Sequence, residues 1–207
     1  MNRMFAHDEA ILTAYLLFFF LSLDLSVMPQ PIKPKAGASA FSAPECLLQR
    51  PKLAALIGTI VAEWAFIDRT LAFIFNVTTS DHPLPNQYHQ IDPVAAAVFD
   101  TLVTFPAKIA VVKSVLNLRA SDELKEEFEE ICAEIRNRSK ERNTVVHASW
   151  SISDQYPDDL ITFKTDGSWI KYTEKDLLDI LARTIEIRNK ANDFSISIAN
   201  SQKKQIW

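Results

Sequence analysis

Glycine is nearly missing from this chain, with three in 207 residues. A glycine-rich loop that cradles phosphate, or a dinucleotide fingerprint, needs several glycines at fixed spacing, so both are excluded. Cysteine is as sparse: Cys46 and Cys132 stand far apart and form neither a disulfide framework nor a metal-ligand pattern. Cys132 falls on the apolar side of a helix and reads as a small core residue. Neither cysteine lies near a plausible base and no nucleophile elbow is present, which leaves serine and cysteine hydrolases with little support. Positive charge is not in excess either. Lys and Arg number 22 against 26 Asp and Glu, for a net charge of -4 and a pI of about 5.6. That balance argues against coating nucleic acid through a broad basic face and leaves room for one cationic cleft. Hydrophobic residues at 48% and charged residues at 23% are ordinary for a folded domain. The length suffices for one core with some sequence to spare.

The spare sequence is at the N-terminus. Residues 11–23 (ILTAYLLFFFLSL), beginning at Ile11 and ending at Leu23, are almost wholly apolar, and Asp24 interrupts them. A membrane-spanning helix wants about 20 apolar residues, and a run of about 10–14 more often marks a signal-peptide core or a buried segment. Asp8 and Glu9 against Arg3 are a poor flank for a secretory signal. Three readings stay open: translation beginning at Met28, a single membrane anchor, or a cleaved signal. Residues 29–44, rich in proline and alanine, read as a linker that forms neither helix nor packed strand. The division expected is therefore residues 1–50 as apolar segment plus linker, outside the mature fold, and 51–207 as one helical domain.

From residue 52 to 77, Ile57, Val61, Trp64, Leu71 and Phe75 recur at helical steps and build a core stripe. Asp68 falls on that stripe. A carboxylate there needs a partner, either as a structural ion pair across the bundle or as a group orienting an active-site arginine or histidine. Residues 78–90 (TTSDHPLPNQYHQ) read as a loop, with His82 and His89 solvated and no compact metal-ligand spacing. Asp92-Pro93 opens a helix reaching about Val103, Pro106 forces a break or kink, and residues 107–118 continue as helix. Ser121-Asp122-Glu123 opens the central helix, whose apolar positions are Leu124, Phe128, Ile131, Cys132 and Ile135. Arg142 continues the spacing of Phe128 and Ile135 and is expected to point inward.

After His147 the period changes to alternation: Trp150 and Ile152, Ile161 and Phe163, Ile170 and Tyr172. Tyr156-Pro157-Asp158-Asp159 and Asp166-Gly167-Ser168 read as turns. Thr173-x-x-Asp176 is a capping-box start for a last helix with the stripe Leu177, Ile180, Thr184, Ile187, Ala191, Phe194 and Ile198. The terminal SQKKQIW is expected to fray. The fold class is mainly α: an antiparallel bundle of four to five helices with a small β-hairpin or three-stranded insert before the last helix.

The chemistry concentrates in IRNRSKERNTVVHASW. Arg136, Arg138, Lys140 and Arg142 stand there against one acid, Glu141, and His147 follows. A guanidinium grips a phosphate with two hydrogen bonds, and an imidazole moves a proton near neutral pH. Metal-independent phosphodiester cleavage needs those two parts.

This layout, with Arg142-Asn143-x-x-x-His147 closing the third main helix, resembles the HEPN superfamily. Active members carry an arginine, a following polar residue, and a histidine after four to six intervening residues. Here four intervene. The resemblance covers roughly residues 52–199. It is strengthened by the helix carrying Trp64 and Asp68 and by the His147-x-x-Trp150 turn; Ala148 departs from the glycine often found after the histidine. It implies an endoribonuclease without metal or other cofactor, working as a homodimer whose two motifs face each other across one cleft. Many such proteins are toxins, with a cognate antitoxin, or antiviral effectors.

Arg142, Asn143 and His147 are then the catalytic candidates, Asp68 a supporting residue, and Arg138 and Lys140 contacts for the RNA backbone. Arg142 would hold the phosphate, His147 would shuttle the proton, and Asn143 would orient the ring. Five residues of helix turn about 140°, so Arg142 and His147 of one chain diverge. Convergence requires a bent helix end or a second chain. A blander possibility is Arg142 paired with Asp68 inside the bundle and His147 capping a helix end. The alternative function is a non-catalytic HEPN-like module binding nucleotide or protein. A cytoplasmic location is expected, or a membrane-tethered one if residues 11–23 are retained as an anchor.

Overall fold

The computed structural model describes residue 29, residues 31–80 and residues 92–204. Residues 11–23 and Met28, and the loop histidines His82 and His89, lie outside the described residues. Among those described, the chain is mainly helical, with five α-helices, a short 3-10 helix (Pro44–Cys46) and one small antiparallel sheet of five strands.

Helix α1 (Pro51–Thr79) is the mast of the molecule. Leu53, Ile57, Ile60, Trp64, Ile67, Leu71 and Ile74 are buried along it, at the three- and four-residue steps that keep side chains on one helical face. Val61, expected in this stripe, is exposed, and Ile60 takes the inward position. Thr78 and Thr79 remain helical, their hydroxyls donating back to carbonyls of the preceding turn.

Helix α2 (Pro93–Asp100) begins as expected: Asp92 accepts from the Val94 and Ala95 backbone N–H groups at 2.8 and 3.2 Å. It ends earlier than expected, at Asp100. Helix α3 (Phe105–Arg119) starts with Pro106 in its first turn, where the missing N–H costs nothing. Helix α4 (Asp122–His147) and helix α5 (Glu174–Lys204) complete the set. Helix α5 opens on the foreseen capping box, with the Thr173 N–H donating to Asp176 at 2.7 Å and the Asp176 N–H to Thr173 at 3.2 Å. It runs on through Lys204, into the segment expected to fray. The principal pairing is α1 with α5; α2, α3 and α4 also pack on α1. No helix among the described residues is long and apolar enough to cross a membrane.

The sheet departs most from expectation. Strands β1 (Pro31–Ile32) and β2 (Phe41–Ser42) come from the proline-rich stretch read as a linker. Strands β3 (Ser151–Ser153), β4 (Tyr156–Phe163) and β5 (Trp169–Tyr172) come from the insert. The order is β1-β5-β4-β3-β2. The linker therefore caps both edges of the insert, with Pro31 opposite Ile170 and Phe41 opposite Ile152. Proline is tolerated there because an edge strand can leave one backbone position unpaired. Tyr156-Pro157-Asp158-Asp159 is not a turn but the start of β4; the β3–β4 turn is Asp154-Gln155. The second turn is where it was expected, with Gly167 at φ 80° and Asp166 accepting from the Ser168 N–H at 2.9 Å.

Leu160 joins the helical core, whereas Ile161, next along β4, is buried outside that core. Successive strand residues point to opposite faces, so both faces of the sheet are covered. Trp150 meets Tyr172 edge-on at 5.1 Å, fastening the start of β3 to the end of β5.

Candidate active site

Helix α4 carries the motif. Asp122 and Glu123 sit at its positive end, as the dipole favours. Ser121 is the N-cap residue without a side-chain capping bond; its hydroxyl instead bonds the Glu123 carboxylate and holds that group below the usual carboxylate range. Phe128, Ile131, Cys132 and Ile135 are buried, and Phe128 packs on Phe194 at 5.3 Å. Burial pushes the Cys132 thiol up to about 12, so it stays protonated and inert.

Beyond Ile135 the inward face rotates. The next buried apolar residue is Val145, ten positions on and so about 80° round the helix. Arg142 lies at the edge of the packed face, half-buried, and does not occupy the core position that its seven-residue spacing suggested. Glu141 takes the inward place. Its side chain is only 8% exposed, and its Oε1 accepts from Arg138 Nη1 at 3.0 Å and from Arg183 Nη2 at 3.4 Å. Arg183 Nε also reaches Oε2 at 3.4 Å. Glu141 thus ties α4 to α5. Its charge also reaches Tyr172: burial first, then Asp176 and Glu141, push that phenol up to about 12.

Glu141 and Arg183 are the residues that sequence reasoning passed over. The signal for Glu141 was its isolation as the one acid among four cations, with Arg138 one turn earlier. Arg183 adjoins Thr184 of the core stripe and carries no local mark.

At the end of α4 Arg142 and Asn143 are in contact, and His147 lies one turn beyond them without meeting Arg142. Arg142 Nη1 donates to Asn143 Oδ1 at 2.9 Å. Arg142 Nε is buried and has no hydrogen-bond partner among the described residues. Asn143 and His147 are exposed, four residues apart and hence on one helical face. Helix α4 is continuous through His147, so no break turns the histidine back toward its own Arg142. Lys140 is exposed, and Arg138 is 40% exposed.

Asp68 is elsewhere. Its two oxygens accept from Lys108 Nζ on α3 at 2.7 and 2.6 Å, and Lys108 also lies 5.2 Å over the Phe99 ring. The carboxylate therefore neutralises a cation that is 13% exposed, a structural ion pair across the bundle, and its partner is Lys108 in place of Arg142. Replacing Asp68→Asn is expected to cost about 1 kcal/mol of stability, a modest figure because the carboxylate is a third exposed. Cleavage by the folded variant should be unchanged. Chemical denaturation beside an RNA assay checks this, and a catalytic loss with stability intact would establish the orienting role.

Among the described residues no group of three or more His, Cys, Asp or Glu is placed to hold a metal ion. A cleft of about 190 Å³ lies between Arg50, Phe41 and Asp154, and none of the motif residues lines it. Comparison with family models, curated proteins and solved structures gives no match.

Proposed function

We propose that the chain is a metal-independent endoribonuclease with a HEPN-like antiparallel bundle, acting as a toxin or antiviral effector in the cytoplasm. One observation carries this: Arg142, bonded to the exposed Asn143, and the exposed His147 share the last turns of α4, while the acid that would have neutralised Arg142 is committed to Lys108. The guanidinium donors of Arg142 outside its bond to Asn143 are those a phosphate oxygen would meet.

In the reaction, the substrate's 2′-oxygen attacks the adjacent phosphorus and the bond to the 5′-oxygen breaks. The products are a 2′,3′-cyclic phosphate and a 5′-hydroxyl. His147 takes the proton from the 2′-hydroxyl and delivers it to the leaving 5′-oxygen. Arg142 binds the phosphate and stabilises the charge growing on its oxygens. Asn143, on the face of His147, fixes the imidazole. Arg138 and Lys140 hold the flanking backbone.

Because α4 is unbroken, Arg142 of one chain works with His147 of another. The proposal thus includes a homodimer, and with the toxin role a cognate antitoxin.

Total RNA incubated with the purified chain in excess chelator tests it. Fragments ending in 2′,3′-cyclic phosphate are the expected result. No cleavage at high protein over varied RNA would favour the non-catalytic module binding nucleotide or protein.

A further inference from the structure

We propose that Arg183, presented from α5 and held beside Arg138 by Glu141, is a further phosphate contact for the RNA; this rests on the ribonuclease function above. The geometry is unusual for a simple ion bridge. A carboxylate 8% exposed lies beneath two guanidiniums that stay 40% and 26% exposed. The cluster carries two positive charges against one negative charge, and the positive groups are the accessible ones.

A guanidinium has five N–H donors. Arg138 spends one on Glu141 and Arg183 spends two, and neither has a further partner among the described residues. Arg183's two bonds are 3.4 Å long, against about 2.7–2.9 Å for a well-made charge-assisted bond. It is therefore loosely tied, with donors to spare. Arg138 and Arg183 share Oε1 of Glu141, so the two guanidiniums are neighbours although they come from different helices. Glu141 directly precedes Arg142. The cationic cluster joins α4 to α5 one residue before the motif, and a backbone phosphate flanking the reacting one is the contact proposed for it.

Glu141 is the positioning residue of this cluster. It aims both arginines and, as an anion, opposes the phosphate they bind. A purely structural bridge would influence folding alone.

The test is binding by the full-length protein of a single-stranded RNA with 2′-O-methyl groups, which cannot supply the nucleophile, at salt between about 50 and 200 mM. Folding is checked by circular dichroism. Arg183→Gln is expected to weaken binding and to flatten the salt slope by about 0.7, the share of one phosphate contact on a single strand. Arg183→Lys should keep the slope. Glu141→Gln keeps an amide oxygen in the place of Oε1 to aim both arginines and loses the competing anion, so it should bind several-fold more tightly. Wild-type slope in folded Arg183→Gln, from a protein that binds and cleaves RNA, would overturn the Arg183 contact and leave the function standing. If Arg183→Gln does not fold, Glu141→Gln decides, and unchanged or weaker binding overturns the proposal. A wild type that neither binds nor cleaves RNA removes the function and the contact together.

Discussion

His147→Ala should lose about 10²–10⁴ of the cleavage rate, the usual worth of a positioned proton shuttle. Its stability should stay within about 0.5 kcal/mol of wild type, because an exposed side chain is removed from a helix end. Arg142→Ala should lose a similar factor, about 10²–10³, if the guanidinium stabilises charge in the transition state. It should also cost some stability, since its stem is half-buried at the edge of the α4 packing. The two inactive variants carry a sharper expectation when mixed. A mixed dimer owns one intact Arg142 and one intact His147 on opposite chains, so co-refolding should recover a measurable part of the wild-type rate. Activity in neither the mixture nor the wild type would sink the catalytic role. Full activity in a strictly monomeric wild type would sink the shared site.

A chain shortened to begin at Pro51 is expected to be the most damaged variant. It loses β1 and β2 and with them the pairings that close both edges of the sheet. It also loses the bond from Ser153 Oγ to the Ser39 carbonyl at 2.7 Å, and Cys46, which is fully buried. At about 0.5–1.5 kcal/mol for each net hydrogen bond, several kcal/mol should go, a large part of the stability of an ordinary domain. The bared edges of β3 and β5 then invite pairing between chains. Denaturant midpoints and size-exclusion profiles of both forms would show it. An equally stable, monodisperse short form would mean that residues 29–50 merely rest on the sheet.

That contrast shows how far the sequence could be read. The helices were legible because each carries a strong local signal: an Asp92-Pro93 start, a proline in the first turn of α3, a Thr173–Asp176 capping box, long apolar stripes. The β insert was legible by alternation. The edge strands were not, because Pro31-Ile32 and Phe41-Ser42 are too short for any period and become strands only through partners more than a hundred positions away. Asp68 was singled out correctly as an acid needing a cation. Its partner, Lys108, lies forty positions on, with nothing local to mark it. Arg142 misled in a different way. Its spacing from Ile135 assumes that the same face stays inward along the whole of α4, yet beyond Ile135 that face turns toward Glu141, Arg183 and Val145.

The pairing of α1 with α5 has a consequence for the newborn chain. These helices make the main core contact, yet residues 80–173 lie between them. As the polypeptide leaves the ribosome, the part of the α1 face that α5 covers emerges early and waits for residues 174–204, while Trp64 meets Phe105 of α3 sooner. At about 5–20 residues per second, that is a delay of many seconds during which an oily surface is open to chaperones or to neighbouring chains. The same topology postpones assembly. The helix bearing Arg142 and His147 cannot lock against α5 until residues 174–204 have been made, so an RNA-cutting site there would become competent only after α5 has emerged.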